Sequence, residues 1–217
     1  MNEQEFYEGL YRDVQDSGVS GWYVGMSHKS LEKGFPKINA ARILEVGANV
    51  GEHVKYVEND FSSYTLTDYR QTGFKSDDKR ISFLVADVQN LPFSANAFDR
   101  TISTCLLHHL PDPKKALEEI RRVTTSGGLV SILVPCDPGL AYRLAKLIGP
   151  SRKWRAAGIT NPDFYHYEQH RNHFPGIFSI IQEVFKLDTV QTRFWPIRLR
   201  TWNFNLYSVT QIKVTKP

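Results

Sequence analysis

The sequence predicts an α/β protein in which helices cover both faces of a mostly parallel sheet, folded as one domain. Three observations lead there. Apolar runs of strand length alternate with helical segments between residues 41 and 135. The central runs are apolar at successive positions, as strands buried on both faces are. A chain of 217 residues supplies one sizeable core.

Residues 3–16 carry Phe6, Leu10 and Val14 at helical spacing, with Tyr7 and Tyr11 beside them. Residues 18–25, SGWYVG with its flanks, read as a loop, and 28–35 as a short helix stopped by Gly34 and Pro36. The expected core follows as strand 41–47, helix 52–60, strand 63–69, strand 81–88 and strand 98–107. Helix 112–124 turns Ala116, Leu117, Ile120 and Val123 inward and ends at Gly127-Gly128, before strand 129–135. Helices are expected at 139–149 and 174–185, and strands at 186–194 and 203–214. The last two are joined by a short turn-like segment, so the final strand should run antiparallel to its neighbour.

Composition narrows the class. Cys105 and Cys136 are too few for a disulfide framework and suit a reducing compartment as buried or pocket-lining thiols. The charged N-terminus lacks the apolar run of a signal peptide, and no window approaches a membrane span, so a cytoplasmic protein is expected. The net charge of +4 divides into −4 over residues 1–137 and +8 over 138–217. A basic last third is either a solvated face or one that meets an anionic partner.

The chemistry begins at Glu45-Val46-Gly47-Ala48-Asn49-Val50-Gly51. A phosphate-binding P-loop needs a lysine that is absent, and a dinucleotide fingerprint needs GxGxxG, whereas Asn49 stands at the centre here. S-adenosylmethionine carries no phosphate but has an amino group, a sulfonium and a ribose diol, which carboxylates suit. Glu45 ends the first strand toward an ammonium, Asp68 ends the second toward the ribose, and Asp87 ends the third toward the adenine.

Here the chain resembles the class I S-adenosylmethionine-dependent methyltransferases, closest to the small-molecule, type 11-like group. The matching stretches are EVGANVG (45–51), LTDY (66–69), ADVQNLPFSANAFD (86–99), LLHHLPDPKKALEEIRRV (106–123) and SGGLVSILVP (126–135). The resemblance implies a Rossmann-like three-layer sandwich with sheet order 3-2-1-4-5-7-6 and strand 7 antiparallel. It implies S-adenosyl-L-methionine as cofactor, held by Glu45, Gly47, Ala48, Asn49, Gly51, Asp68, Tyr69, Asp87, Val88, Cys105 and Leu106. Asn49 departs from the family's usual glycine, and asparagine tolerates positive φ better than other side chains do.

Methyl transfer needs an acceptor held in line and, where the acceptor is protonated, a base; the reaction itself requires no metal. His108 and His109 follow the fourth strand, and the resemblance puts His109 at a frequent histidine position, in either proton transfer or packing. His170, within FYHYEQHRNHF (164–174), is the first base candidate. That cluster lines the acceptor site or caps the next helix. Trp22 and Tyr23 join Tyr7 and Tyr11 as lid candidates in an N-terminal segment, 1–37, and residues 137–172 form the expected acceptor-site insertion.

Three acceptors fit: an anionic small molecule such as a nucleotide- or lipid-linked sugar, a lipid met by peripheral membrane contact through Leu140, Leu144, Leu147 and Ile148, or RNA. RNA fits least, since strand 4 lacks the Asn/Asp-Pro-Pro-aromatic signature. The C-terminal pattern resembles methyltransferases of bacterial surface-polysaccharide synthesis. A noncatalytic S-adenosylmethionine-binding protein is the alternative of another class, and an NAD-dependent oxidoreductase a third.

Overall fold

The computed structural model describes residues 18–34, 38, 41–148, 150–156, 158 and 160–216. The helix expected at 3–16, with Tyr7 and Tyr11, lies outside them, as do the side chains of Trp154 and Tyr165.

Helix α1 (Gly18–Glu32) leads into β1 (Ala41–Val46), β2 (Phe61–Asp68), β3 (Ile81–Val85) and β4 (Phe98–Thr104). Then come α2 (Pro113–Val123), β5 (Thr124–Pro135), α3 (Leu140–Ile148), α4 (Pro150–Ala156), α5 (Pro162–Gln169), α6 (Phe174–Val184), β6 (Thr189–Trp195) and β7 (Tyr207–Lys213). The sheet order is β3-β2-β1-β4-β5-β7-β6, and β7 runs opposite to the other six strands. This is the expected topology. Every parallel strand points its carboxyl end to one edge, where ligands bind in open α/β sheets.

Two cores flank the sheet. On one face α2 and α6 pack their apolar stripes, Ala116, Leu117, Ile120, Val123 and Phe174, Ile177, Ile181, against Leu44, Val130 and Ile132. Asp112 caps α2 by accepting from the Lys115 N–H at 3.0 Å, and Pro113 occupies its first turn, where no intrahelical donor is needed. On the other face Leu31 of α1 meets Ile43, Leu66 and Ile102.

Several boundaries differ from the sequence reading. Residues 18–25 belong to α1 and are not a loop. The inward face of that helix is largely polar, with Ser27, His28 and Glu32 all buried, so an apolar periodicity could not reveal it. The expected helix 52–60 shrinks to one 3₁₀ turn, Val54–Tyr56, because the chain then extends to bring the Glu58 N–H to Glu32 Oε2 at 3.1 Å. Helix α2 stops at Thr124, and Gly127-Gly128 lie inside β5. Strand β4 ends at Thr104 because Cys105 takes φ +49°. Strand β3 ends at Val85, short of Asp87, and β7 is shorter than the 203–214 expected for it. The segment 137–172 holds three helices, and FYHYEQ is helical within α5.

Candidate active site

The turn after β1 is left-handed at three points: Gly47 (φ +64°), Asn49 (φ +47°) and Gly51 (φ +77°). A Cβ on Gly47 would fall 2.6 Å from Leu106 Cδ1, and one on Gly51 2.7 Å from Phe74 Cε2. Glycine is therefore required twice over, by dihedral and by space. Asn49 accepts the dihedral and donates its side-chain amide to Glu52 Oε1 at 2.9 Å. The Ala48 N–H is tied to Thr67 O at 2.9 Å, which sets the turn against the tip of β2.

Asp68, at that tip and 9% exposed, accepts from the Asn49 N–H at 3.1 Å and the Arg70 N–H at 3.2 Å. Glu45 is 1% exposed and accepts from Tyr64 Oη at 2.7 Å. Burial pushes its carboxyl up to about 8 against the opposing effect of that bond. Burial thus disfavours the Glu45 anion in the unliganded protein, where the sequence suggested a ready one. Asp87 is exposed, two residues past β3, and accepts from the Gln89 N–H at 2.9 Å. Tyr69 is exposed beneath the Arg70 guanidinium, and Val88 is buried in the core. Across the turn, Cys105 is exposed at the crest of β4, with Leu106 packed on Gly47; Cys136 is buried.

The donor set fits S-adenosylmethionine. A glycine turn without lysine lies between carboxylates at neighbouring strand tips, and Cβ atoms at 47 and 51 would not fit.

The histidines expected at the acceptor end converge. His170 Nδ1 donates to Asp137 Oδ2 at 2.9 Å, and His166 Nε2 donates to the same oxygen at 3.0 Å. Asp137 ends the β5 segment and is 2% exposed. Burial alone would raise its carboxyl, but the two histidine bonds hold it below the usual carboxylate range. Burial lowers His170 to about 4 despite Asp137. His109 donates from Nδ1 to Gln169 O at 2.9 Å, and burial beside His170 brings it to about 3. The ring centroids of His108 and His170 are 4.2 Å apart. His166 lies in the 164–174 cluster read as an acceptor-site lining, but Asp137 was not among the sequence's candidates; the i, i+4 spacing of His166 and His170, which puts both on one helical face, was the available signal that they share a partner. His173 stands at the N-cap of α6 without a side-chain capping bond, and Phe174 is core rather than pocket wall.

Tyr23, on α1, packs edge-on to Tyr207 at 5.6 Å, with Trp195 stacked on Tyr207 at 5.2 Å. It therefore stands over the ends of β6 and β7. A separate groove of about 490 Å³ lies between α2, the end of α6 and the tail after β7, lined by Asn96, Lys114, Arg121, Glu183 and Lys216.

A second buried polar cluster was not foreseen. Arg100, in the middle of β4 and 1% exposed, donates to Glu32 through both terminal nitrogens (2.8 and 2.7 Å), to Asn59 Oδ1 (2.7 Å) and to Ser131 Oγ (3.1 Å). His53 Nε2 shares Glu32 at 2.9 Å. Burial works to raise Glu32, but the bonds from His53 and Arg100 outweigh it and bring the group to about 2.

Fold and turn define a Rossmann-like domain with strand order 3-2-1-4-5-7-6. Residues 44–132 match the family model described as "Methyltransferase domain". That match spans β1 to β5 and the glycine turn, so over this stretch the chain resembles methyltransferase domains. It is similar to 2-methyl-6-phytyl-1,4-hydroquinone methyltransferase 1 of Oryza sativa subsp. japonica, 27% identical over 127 residues, covering 54% of this chain and 38% of that protein. It is also similar to the tRNA (carboxymethyluridine(34)-5-O)-methyltransferase of Arabidopsis thaliana, 33% identical over 106 residues, covering 42% and 26%. The chain thus spans well under half the length of these relatives. Among solved structures, the plantazolicin methyltransferase BpumL, in complex with a monoazolic desmethylPZN analog and SAH, superposes with TM-score 0.68 at 12% identity, covering 97% of this chain and 93% of that one. That likeness concerns the fold.

Proposed function

We propose that the protein is an active methyltransferase that moves a methyl group from S-adenosylmethionine to oxygen or nitrogen of a small, lipid- or glycan-linked acceptor. The observation that carries the reading is Asp68, set on the left-handed glycine turn at the tip of β2 with its carboxylate shared with the Asn49 N–H. Asp68 takes the ribose hydroxyls, Gly47, Ala48, Asn49 and Gly51 line the turn, and Glu45 faces the amino group. Asp87, with Tyr69 and Val88 beside it, takes the adenine; Cys105 and Leu106 border the transferred methyl. The cofactor supplies the activated methyl. The acceptor's proton leaves into the histidine cluster, with His170 first, oriented by Asp137, and His109 and His108 next to it.

The acceptor side carries a surface that favours a lipid-linked substrate. Leu140, Leu144, Leu147 and Ile148 of α3 are exposed, Ile148 to 78%. Ile197, Leu199 and Phe204 are exposed on the β6–β7 loop, with the exposed Arg198 and Arg200 between them, and Arg143 is exposed on α3. The Ala141 N–H bonds Asn203 O at 2.9 Å, so helix and loop adjoin. Apolar side chains ringed by arginines suit an anionic bilayer. Residues 137–172 and the β6–β7 loop together form this acceptor side, and the protein works from the cytoplasmic face of the membrane.

The test has two parts. Calorimetric titration with S-adenosylmethionine should show one site, and S-adenosylhomocysteine should accumulate with lipid-linked acceptors presented in anionic vesicles. Binding without turnover on any acceptor favours the noncatalytic reading; turnover only on soluble acceptors, with no vesicle association, removes the lipid.

A further inference from the structure

Histidines 108, 109 and 170 present one ring nitrogen each within 4.8 Å of the others. Their hydrogen bonds determine which nitrogens carry protons. His170 donates from Nδ1 to Asp137, so its Nε2 keeps a lone pair. His109 donates from Nδ1 to the Gln169 carbonyl, so its Nε2 does too. His108 is 3% exposed, and its Nδ1 has no hydrogen-bond partner among the described residues. A buried imidazole nitrogen without a partner is unfavourable and calls for a ligand. The three residues come from two places in the chain. His108 and His109 follow β4, and His170 caps the end of α5; the bond from the Asn172 N–H to His108 O at 3.1 Å holds the two segments together.

We infer that this cluster is a divalent transition-metal site of the zinc type, with His108, His109 and His170 as ligands and Asp137 as the carboxylate that orients His170. The pattern is that of three-histidine metal centres, in which each ligand's second nitrogen is engaged by a carboxylate or carbonyl that fixes the tautomer. Asp137 and the Gln169 carbonyl do this for two of the three. Asp137, His166 and His170 also lie within ligand range of each other, but the Asp137 oxygen already accepts from both histidines, which suits it to orient rather than bind. Nitrogens around tetrahedral zinc with bonds near 2.0 Å stand about 3.3 Å apart, so the rings must close in slightly when metal enters. His109 is the partly exposed member, so the fourth position opens on its side, toward water or an acceptor oxygen or nitrogen. The inference deepens the proposed acceptor chemistry and rests on it: the same histidines would handle the acceptor, now by lowering its pKa through the metal, and with metal bound the acceptor's proton would leave to solvent rather than to a ring nitrogen.

The test uses tag-free full-length protein, so that no added histidines bind metal. Zinc is loaded, the excess is dialysed away, and metal is counted by mass spectrometry; cobalt(II) is added separately to read the visible bands of a tetrahedral site. One zinc per chain is expected, with a tetrahedral cobalt spectrum. His108→Ala and His109→Ala should each lower zinc affinity by about 100-fold or more. Asp137→Asn should lower it by roughly 10–100-fold, and His173→Ala should leave it unchanged. Wild-type protein that retains no zinc at micromolar concentration overturns the inference, whatever the variants do. So does stoichiometric zinc that survives both His108→Ala and His109→Ala. Calorimetry with S-adenosylmethionine on the same samples separates failure of the metal site from failure of the methyltransferase reading, since the cofactor turn shares none of these ligands.

Discussion

Replacing Arg100 by methionine tests whether the polar cluster under α1 holds the N-terminal helix to the sheet. The guanidinium is buried and makes bonds to Glu32, Asn59 and Ser131 at 2.7–3.1 Å. Removing it leaves the Glu32 carboxylate buried with only His53 Nε2 and the Glu58 N–H. Losing one member of a buried pair costs roughly 3–5 kcal/mol. Against the raising effect of burial, the bonds from His53 and Arg100 together lower Glu32 from 4.5 to about 2. At about 1.4 kcal/mol per pKa unit that is roughly 3 kcal/mol for the pair, of which Arg100 supplies a part. Glu32 is a carboxylate with a depressed folded-state pKa, so this contribution is present above about pH 4.5 and disappears as the pH falls toward 2. Urea melts at pH 7.5 should therefore show Arg100→Met less stable by about 3–5 kcal/mol, with the melting temperature down by roughly 6–20 °C for a domain of this size. The gap should narrow below pH 4.5. Glu32→Gln combined with Arg100→Met removes the stranded charge and should recover at least half of the loss. A single variant that loses under about 1 kcal/mol, or a double variant no better than the single one, refutes the reasoning.

Asp68→Ala should weaken S-adenosylmethionine binding by about 1–3 kcal/mol in calorimetry, the scale of a bond to a charged group; unchanged affinity would remove Asp68 from the ribose site. Gly47→Ala forces a side chain to φ +64° and against Leu106, and should destabilise the protein by about 1–2 kcal/mol from the dihedral alone, read as a lower urea midpoint. Glu45 is raised to about 8, and a cofactor ammonium beside it would draw it down, so binding near pH 7 should release up to one proton per site. Equal binding enthalpies in phosphate and Tris buffers would show no release. His170→Ala should reduce kcat well before it changes the cofactor Kd, whereas parallel losses would argue that the ring only supports the fold.

The sheet was legible because its central strands are uninterrupted apolar runs and its tips carry Glu45, Asp68 and the glycine turn. These are local signals, and the hairpin that reverses β7 is local as well. What escaped the sequence reading is what the fold assembles from distant pieces. Helix α1 packs Ser27, His28 and Glu32 inward, so its periodicity is polar and invisible to a hydrophobic count. Arg100 reads as a surface residue in an otherwise ordinary strand, and only its meeting with Glu32, Asn59 and Ser131, from three other parts of the chain, explains its burial. Asp137 lies 33 residues from His170, so a reading limited to short motifs saw the histidines without the group that orients them. The missing helix at 52–60 has the same origin: local propensity gave way to the pull of the Glu58 N–H toward Glu32.

The two buried polar clusters differ in one respect that separates scaffold from site. Around Arg100 the charge is matched by Glu32, and Ser131 hands its hydroxyl proton on to Gln211 Oε1 at 3.0 Å, whose amide reaches Leu31 O at 2.8 Å. Such a closed network specifies one packing of α1 on the sheet and has nothing left to offer a ligand. Around Asp137 the accounting does not close: the carboxylate accepts two hydrogen bonds, Nε2 lone pairs remain on His109 and His170, and His108 Nδ1 has no partner among the described residues. A fold gains no stability by burying an imidazole nitrogen unmatched, as it does at His108 Nδ1. The imbalance stands where β4 and β5 deliver their ends on the same sheet edge as the glycine turn, which is where the proposed function puts the acceptor, so it belongs to that proposal rather than to the architecture of the sheet.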